Sequence, residues 1–137
     1  MTTTNPHRTA RTLHTLVPAA HTLGIDVLSW TPAETRLRLA WARELCTAEG
    51  VLHGGVLMTL ADTAGAACAY VGLPDGATTT TIESKTNFFR SVGHGDVVAF
   101  ARPLHRGRNI IVVGTDLTDS ADRPVAHVVQ SQTVSTG

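Results

Sequence analysis

Charge is missing from the centre of this chain. Between Glu49 and Asp75 the one charged side chain is Asp62, and its neighbours from Val51 to Val71 are apolar or small almost throughout. An excess of either sign is also lacking. Eleven basic and 11 acidic residues balance in 137, so no basic stripe points to nucleic acid and no acidic tail to a basic partner. There are only two cysteines, Cys46 and Cys68, both among apolar neighbours. This predicts free thiols and a reducing, cytoplasmic setting. The opening Met-Thr-Thr-Thr-Asn-Pro-His-Arg has no apolar signal core. The central segment is long enough for a bilayer, but its Ala, Gly and Thr content and its Asp argue against lipid, and no membrane association is expected. No Gly-x-Ser-x-Gly is present, which argues against a serine nucleophile of the α/β-hydrolase kind. His7, His14, His21, His94, His105 and His127 show no metal-ligand spacing, and no metal is expected.

What is present fits one domain. With 42% apolar residues the chain can build a core without covalent staples. Residues 1–10 read as a flexible leader and 11–137 as the domain. A short helix is predicted within 8–21, with Leu13, Leu16 and Val17 on one face. Two strands follow, 23–30 and 35–42, about the turn Thr31-Pro32-Ala33-Glu34. The second alternates, Leu37, Leu39 and Trp41 one way, Arg36 and Arg38 the other. A helix from Gly54 to Val71 stops before Gly72-Leu73-Pro74-Asp75-Gly76. Further strands are predicted at 77–89, 96–106, 108–118 and 124–134, the last three joined as hairpins. Consecutive strands after one long helix predict an α+β domain with an antiparallel sheet. A helix that is apolar on most sides needs a sheet curled around it and a second subunit to complete the cover.

Two features of that helix bear on chemistry. His53-Gly54-Gly55 precedes it, where free backbone N–H groups and the positive end of the helix dipole favour a developing negative charge. Glycine admits a ligand close to the backbone. The plainer reading of Gly54 and Gly55 is a tight loop-to-helix turn. Asp62 is costly in an apolar helix unless compensated. It is either a working carboxylate or one bonded to Thr59, Thr63 or backbone. Gly54 and Asp62 lie roughly 12 Å apart along the axis, so one carbonyl cannot touch both in one chain. Two helices packed antiparallel about a two-fold axis bring the glycine end of one to the Asp of the other. Asp62 can then attack a carbonyl itself or activate a water.

The stretch Leu52-His53-Gly54-Gly55-Val56, with Thr59-Leu60-Ala61-Asp62-Thr63-Ala64 behind it, resembles the hotdog-fold acyl-CoA thioesterases. The nearest group is the phenylacetate-degradation (PaaI-like) type, related to one class of 4-hydroxybenzoyl-CoA thioesterase. Lys85-Thr86-Asn87-Phe88-Phe89-Arg90, then Gly95-Asp96, and the hairpin His105-Arg106-Gly107-Arg108-Asn109 extend the likeness over roughly 22–135. It implies an antiparallel sheet wrapped around one long central helix. The activity implied is hydrolysis of acyl-CoA to acid and CoA without a cofactor, by a dimer able to pair into a tetramer. The resemblance implies that Gly54 polarises the thioester oxygen through its N–H, that Asp62 of the other subunit is nucleophile or general base, and that His53 shapes the turn and meets the substrate. Thr81, or its neighbour Thr80, would supply a hydroxyl that orients the water. Gly55, Asn87 and Phe88 fall at the substrate, and Arg106 and Arg108 near CoA phosphates; two solvated arginines are the alternative. Thr47 stands where the family often has Asn or Gln, and offers a shorter side chain with one donor. An acyl-carrier-protein thioesterase and a non-catalytic acyl-thioester binding module are the competing readings. Val56, Met58, Phe88 and Phe89 are candidates to line an acyl site.

Overall fold

The computed structural model describes residues 9–136. Two short helices, α1 (Ala10–Leu16) and α2 (Pro18–Leu23), precede strands β1 (Asp26–Trp30) and β2 (Thr35–Ala40). A 3₁₀ turn at Arg43–Leu45 leads to the long helix α3 (Gly54–Val71), then β3 (Thr78–Phe88), β4 (Asp96–Arg106), β5 (Ile110–Thr118) and β6 (Pro124–Ser135). The sheet order is β1-β2-β4-β5-β6-β3, and every pairing is antiparallel. The α+β architecture and the limits of α3 agree with the sequence reading. The single N-terminal helix does not. Pro18 starts a second helix, because its missing N–H is harmless at a first-turn position. That helix runs to Leu23, so β1 begins three residues later than expected. The start of the expected leader lies outside the described residues; Thr9 already caps α1 through its side chain.

Alternation in β2 sends Thr35, Leu37 and Leu39 into the core and leaves Arg36 outside, its guanidinium 4.4 Å from the Phe100 ring centroid. The sheet curls around α3, which buries Leu57, Leu60, Ala61, Ala64, Ala67 and Cys68 among others. By length and composition α3 could cross a membrane; here it is the core helix. It is not covered all round. Gly55, Met58, Asp62, Ala66 and Tyr70 recur at helical spacing and remain exposed or half-exposed, forming one open stripe.

Two bulges matter for what faces α3. In β3 the register jumps between Thr81 and Glu83, so Ile82 is the extra residue. Thr79 and Thr81 face inward before it; Ser84 and Thr86 do so after it. In β4 the register jumps between Pro103 and His105. The shift at Leu104 turns Arg106 onto the C-terminal end of α3.

Candidate active site

The start of α3 has backbone donors to spare. His53 is its N-cap: Nδ1 accepts the N–H of Gly55 at 2.8 Å, and its carbonyl accepts those of Val56 and Leu57. With Nδ1 an acceptor, neutral His53 carries its proton on Nε2. The N–H of Gly54 has no partner among the described residues. Phe88, brought inward after the Ile82 bulge, lies beside it; a Cβ on Gly54 would sit 3.2 Å from Phe88 Cζ. Gly54 therefore offers an unused donor at the positive end of a helix, walled by an aromatic ring. This geometry suits a developing oxyanion.

Asp62 stands half-buried in the middle of the open stripe. Its Oδ1 accepts two bonds, from the Thr81 hydroxyl at 2.7 Å and from Gln130 Nε2 at 2.8 Å. Thr81, having given its proton to Asp62, accepts from Gln132 Nε2 at 2.6 Å. Gln132 Oε1 in turn accepts from the Thr79 hydroxyl at 3.1 Å. Donors in the row Thr79, Gln132, Thr81 all point towards Asp62, so each bond polarises the next. Both donors hold Oδ1, and Oδ2 has no partner among the described residues. The carboxylate is compensated without a cation and still has one oxygen for chemistry.

Gln130 and Gln132 are fully buried (0% exposed) and were not singled out from sequence. Their signal was there. They occupy two successive inward positions of β6, where Ala126 and Val128 set an apolar pattern. Gln130 Oε1 is buried with no partner. Turning the amide over would put that oxygen against the carboxylate, so Asp62 fixes its orientation. The Gln130 amide presses against Gly65, where a Cβ would overlap it. Gly65 thus makes room for the group that holds Asp62.

Other candidate residues fall elsewhere. Thr80 points away from α3, and its carbonyl accepts from the Thr133 hydroxyl. Asn87 is exposed, on the face opposite Phe88. Gly55 has its N–H taken by His53. Thr47 is exposed in the loop before α3; its hydroxyl accepts the Glu49 N–H at 3.3 Å and borders a separate cavity with Trp41 and Arg43. Arg106 donates to the carbonyls of Pro32 (2.8 Å), Cys68 (2.9 Å) and Ala69 (3.3 Å). It caps the negative end of α3 rather than lying free for phosphate. Arg108 is exposed and unpaired among the described residues. Cys68 is buried, and burial pushes its thiol up, against smaller opposing effects of Thr35 and Arg106; it is a core thiol, not a nucleophile.

A model of the thioesterase superfamily matches residues 49–126, a span that holds His53, Gly54, Asp62, Thr81 and Phe88 but neither glutamine. The protein Rv1847 of Mycobacterium tuberculosis is 32% identical over 117 residues, 83% of this chain and 84% of its own. The proofreading thioesterase EntH of Cronobacter sakazakii is 34% identical over 87 residues, 63% of this chain and 58% of EntH. Thioesterase HI1161 of Haemophilus influenzae superposes with a TM-score of 0.87 at 27% identity, covering 93% of this chain and 90% of that one. The PaaI protein of E. coli gives 0.85 at 22% identity, over 93% and 91%. That is a likeness of fold, the hotdog fold expected from the sequence.

Proposed function

The chain belongs to the thioesterase superfamily, and from that premise we propose that it hydrolyses acyl-CoA thioesters to the free acid and CoA, with Asp62 as the reacting carboxylate. The observation that carries this reading is the arrangement at Asp62: Thr81 and Gln130 hold Oδ1, and Oδ2 is left free on the open stripe. The donor for the thioester oxygen is the unpaired Gly54 N–H, two helical turns away. A two-fold axis that sets Gly54 against Asp62 of the partner subunit passes beside Met58, midway between them. Met58 is itself exposed (38%), as a residue awaiting its own copy would be. Each dimer then holds two composite sites.

The carbonyl oxygen accepts from Gly54 N–H, and charge builds there as oxygen adds to the carbon. That oxygen is either Oδ2 itself, giving a mixed anhydride that water opens, or a water whose proton passes to Oδ2. The C–S bond breaks and CoA leaves as thiolate, to be protonated. His53 Nε2–H is a second donor at the same end of the helix. Gln130 and Gln132 are positioning residues: they act through Asp62 and Thr81. We propose that Arg108 meets a CoA phosphate and that Arg106 secures the helix end. The two free cysteines suit a reducing cytoplasm.

Thiol release from acyl-CoAs tests the assignment. Asp62→Asn keeps the size of the side chain and removes its basicity, and the expected fall in kcat is about 10²–10⁴-fold. Full turnover by this variant would refute the reading. Wild type that binds acyl-CoA without releasing thiol would make the chain a binding module, and release confined to acyl-carrier-protein thioesters would move the substrate class.

A further inference from the structure

An apolar groove of about 410 Å³ opens between α1 and α3, with Asp62 at its edge. Leu13, Leu16 and Val17 form one wall; Trp30, Ala66 and Tyr70 form the other. Trp30 gives its indole N–H to the carbonyl of Ala67 at 2.8 Å, so it turns only hydrocarbon to the groove. Ala66 lies one turn beyond Asp62 on the open stripe, and its small side chain leaves the way clear. A second cavity of about 460 Å³ shares Leu16, Trp30 and Tyr70 and continues past Leu73 to Ala77, where Thr12 and Asp75 make its lining polar. The apolar part of the path therefore runs along α3 from Asp62 to Tyr70.

We infer that this groove takes the acyl chain of the thioester, and that the chain it fits is apolar, unbranched and of medium length. The inference rests on the reading that the reacting carbon sits at Asp62. Asp62 is the one charged residue on the first cavity, and of the three threonines that also line it Thr63 and Thr79 have given their hydroxyl protons to Thr59 and Gln132. A charged acyl group therefore finds no countercharge there, whereas hydrocarbon leaves water along the apolar walls. The span from Asp62 to Tyr70, about 12 Å along the helix, sets the reach. A helix pairing centred on Met58 overlaps the two helices over residues 54–62 and sets the loop before α3, not the helix itself, opposite Ala66 and Tyr70. Leu16 (52% exposed) and Tyr70 (45%) are left uncovered at the groove, as a substrate-lined surface would be.

The test is a series of acetyl-, hexanoyl-, decanoyl- and hexadecanoyl-CoA, read as kcat/KM in wild type, Leu16→Trp and Ala66→Leu. In wild type each methylene seated in the groove is expected to raise kcat/KM about fourfold, until the path is full and hexadecanoyl gains nothing over decanoyl. Both variants narrow the groove, and the decanoyl-to-acetyl ratio is expected to fall at least tenfold. Leu16 is exposed, so its variant keeps the test alive if Ala66→Leu fails to fold. An unmoved ratio in a folded variant overturns the inference. So does loss of the dimer in Leu16→Trp by light scattering, which would make the groove a subunit contact. Failure of the groove is separable from failure of the mechanism. The first leaves Asp62→Asn inactive on every chain length; the second leaves it active.

Discussion

At its C-terminal end α3 hands its carbonyls to waiting donors: Trp30 takes that of Ala67, and Arg106 takes those of Cys68 and Ala69. At its N-terminal end His53 satisfies Gly55, Val56 and Leu57 and leaves the N–H of Gly54 alone. Both ends lie in the same helix of the same fold, so the difference is one of use. Where only stability is at stake, an orphan backbone group is capped. At Gly54, where we propose that a substrate oxygen binds, one donor is withheld. Asp62, midway along, combines the two conditions in a single carboxylate: Oδ1 is saturated and Oδ2 is open.

The sharpest way to break this comparison is to close the open end. Gly54→Pro removes the spare N–H at a position where proline suits a helix start, and His53, at ψ 134°, already has the extended geometry a following proline needs. The expected fall in kcat is about 10²–10³-fold. Gly54→Ala adds a similar Cβ beside Phe88 but keeps the donor, so steady-state kinetics of the pair separate crowding from lost polarisation. Next in size is Gly65→Ala, which drives a methyl group into the Gln130 amide. The expected loss is about 1–3 kcal/mol by denaturant unfolding with a fall in kcat. Adding Gln130→Ala should restore stability without restoring kcat, because the steric conflict goes but the donor to Asp62 does not return.

Opening the closed end is the complementary change. Arg106→Ala orphans carbonyls at the negative pole of α3, and a loss of about 1.5–3 kcal/mol is expected with KM for CoA thioesters little altered. A large rise in KM would return Arg106 to the phosphates. The smallest effect lies away from both ends, in the β5–β6 turn. There the backbone N–H of Arg123, foremost among several donors, holds the Asp119 carboxyl below its ordinary range against the opposing effect of burial. Its contribution to stability is present above the ordinary carboxylate value of about 4 and is lost as pH falls through the lowered one. Asp119→Asn should flatten the acid limb of the stability profile and leave kcat untouched.

The fold was legible where periodicity was strong. Gly54–Val71 and Asp96–Arg106 run between the residues the pattern marked, because breaker clusters and alternating apolar positions leave little choice. The N-terminal helix pair was misread because one proline can begin a helix as well as end one. In the site, Gly54 and Asp62 stood out by spacing and by the cost of a lone charge. Gln130 and Gln132 did not, since their meaning depends on which strand lies beside α3, and that pairing spans 68 residues from Asp62 to Gln130. The choice between Thr80 and Thr81 was likewise closed to sequence, because a bulge at Ile82 decides which face each presents. The capping bonds of Arg106 were hidden for the same reason; the bulge at Leu104 sets its guanidinium against the last carbonyls of α3 while the residue stays exposed.

The threonine run that opens β3 has an unusual property in this light. Four identical side chains, Thr78 to Thr81, lead up to the Ile82 bulge, and only the parity of the count decides which of them stands under Asp62. Were the strand shortened by one residue there, the next threonine would arrive at the vacated station with the same hydroxyl. Repetition makes the station insensitive to small errors in spacing, a form of insurance that a single well-placed hydroxyl on a mixed strand would lack.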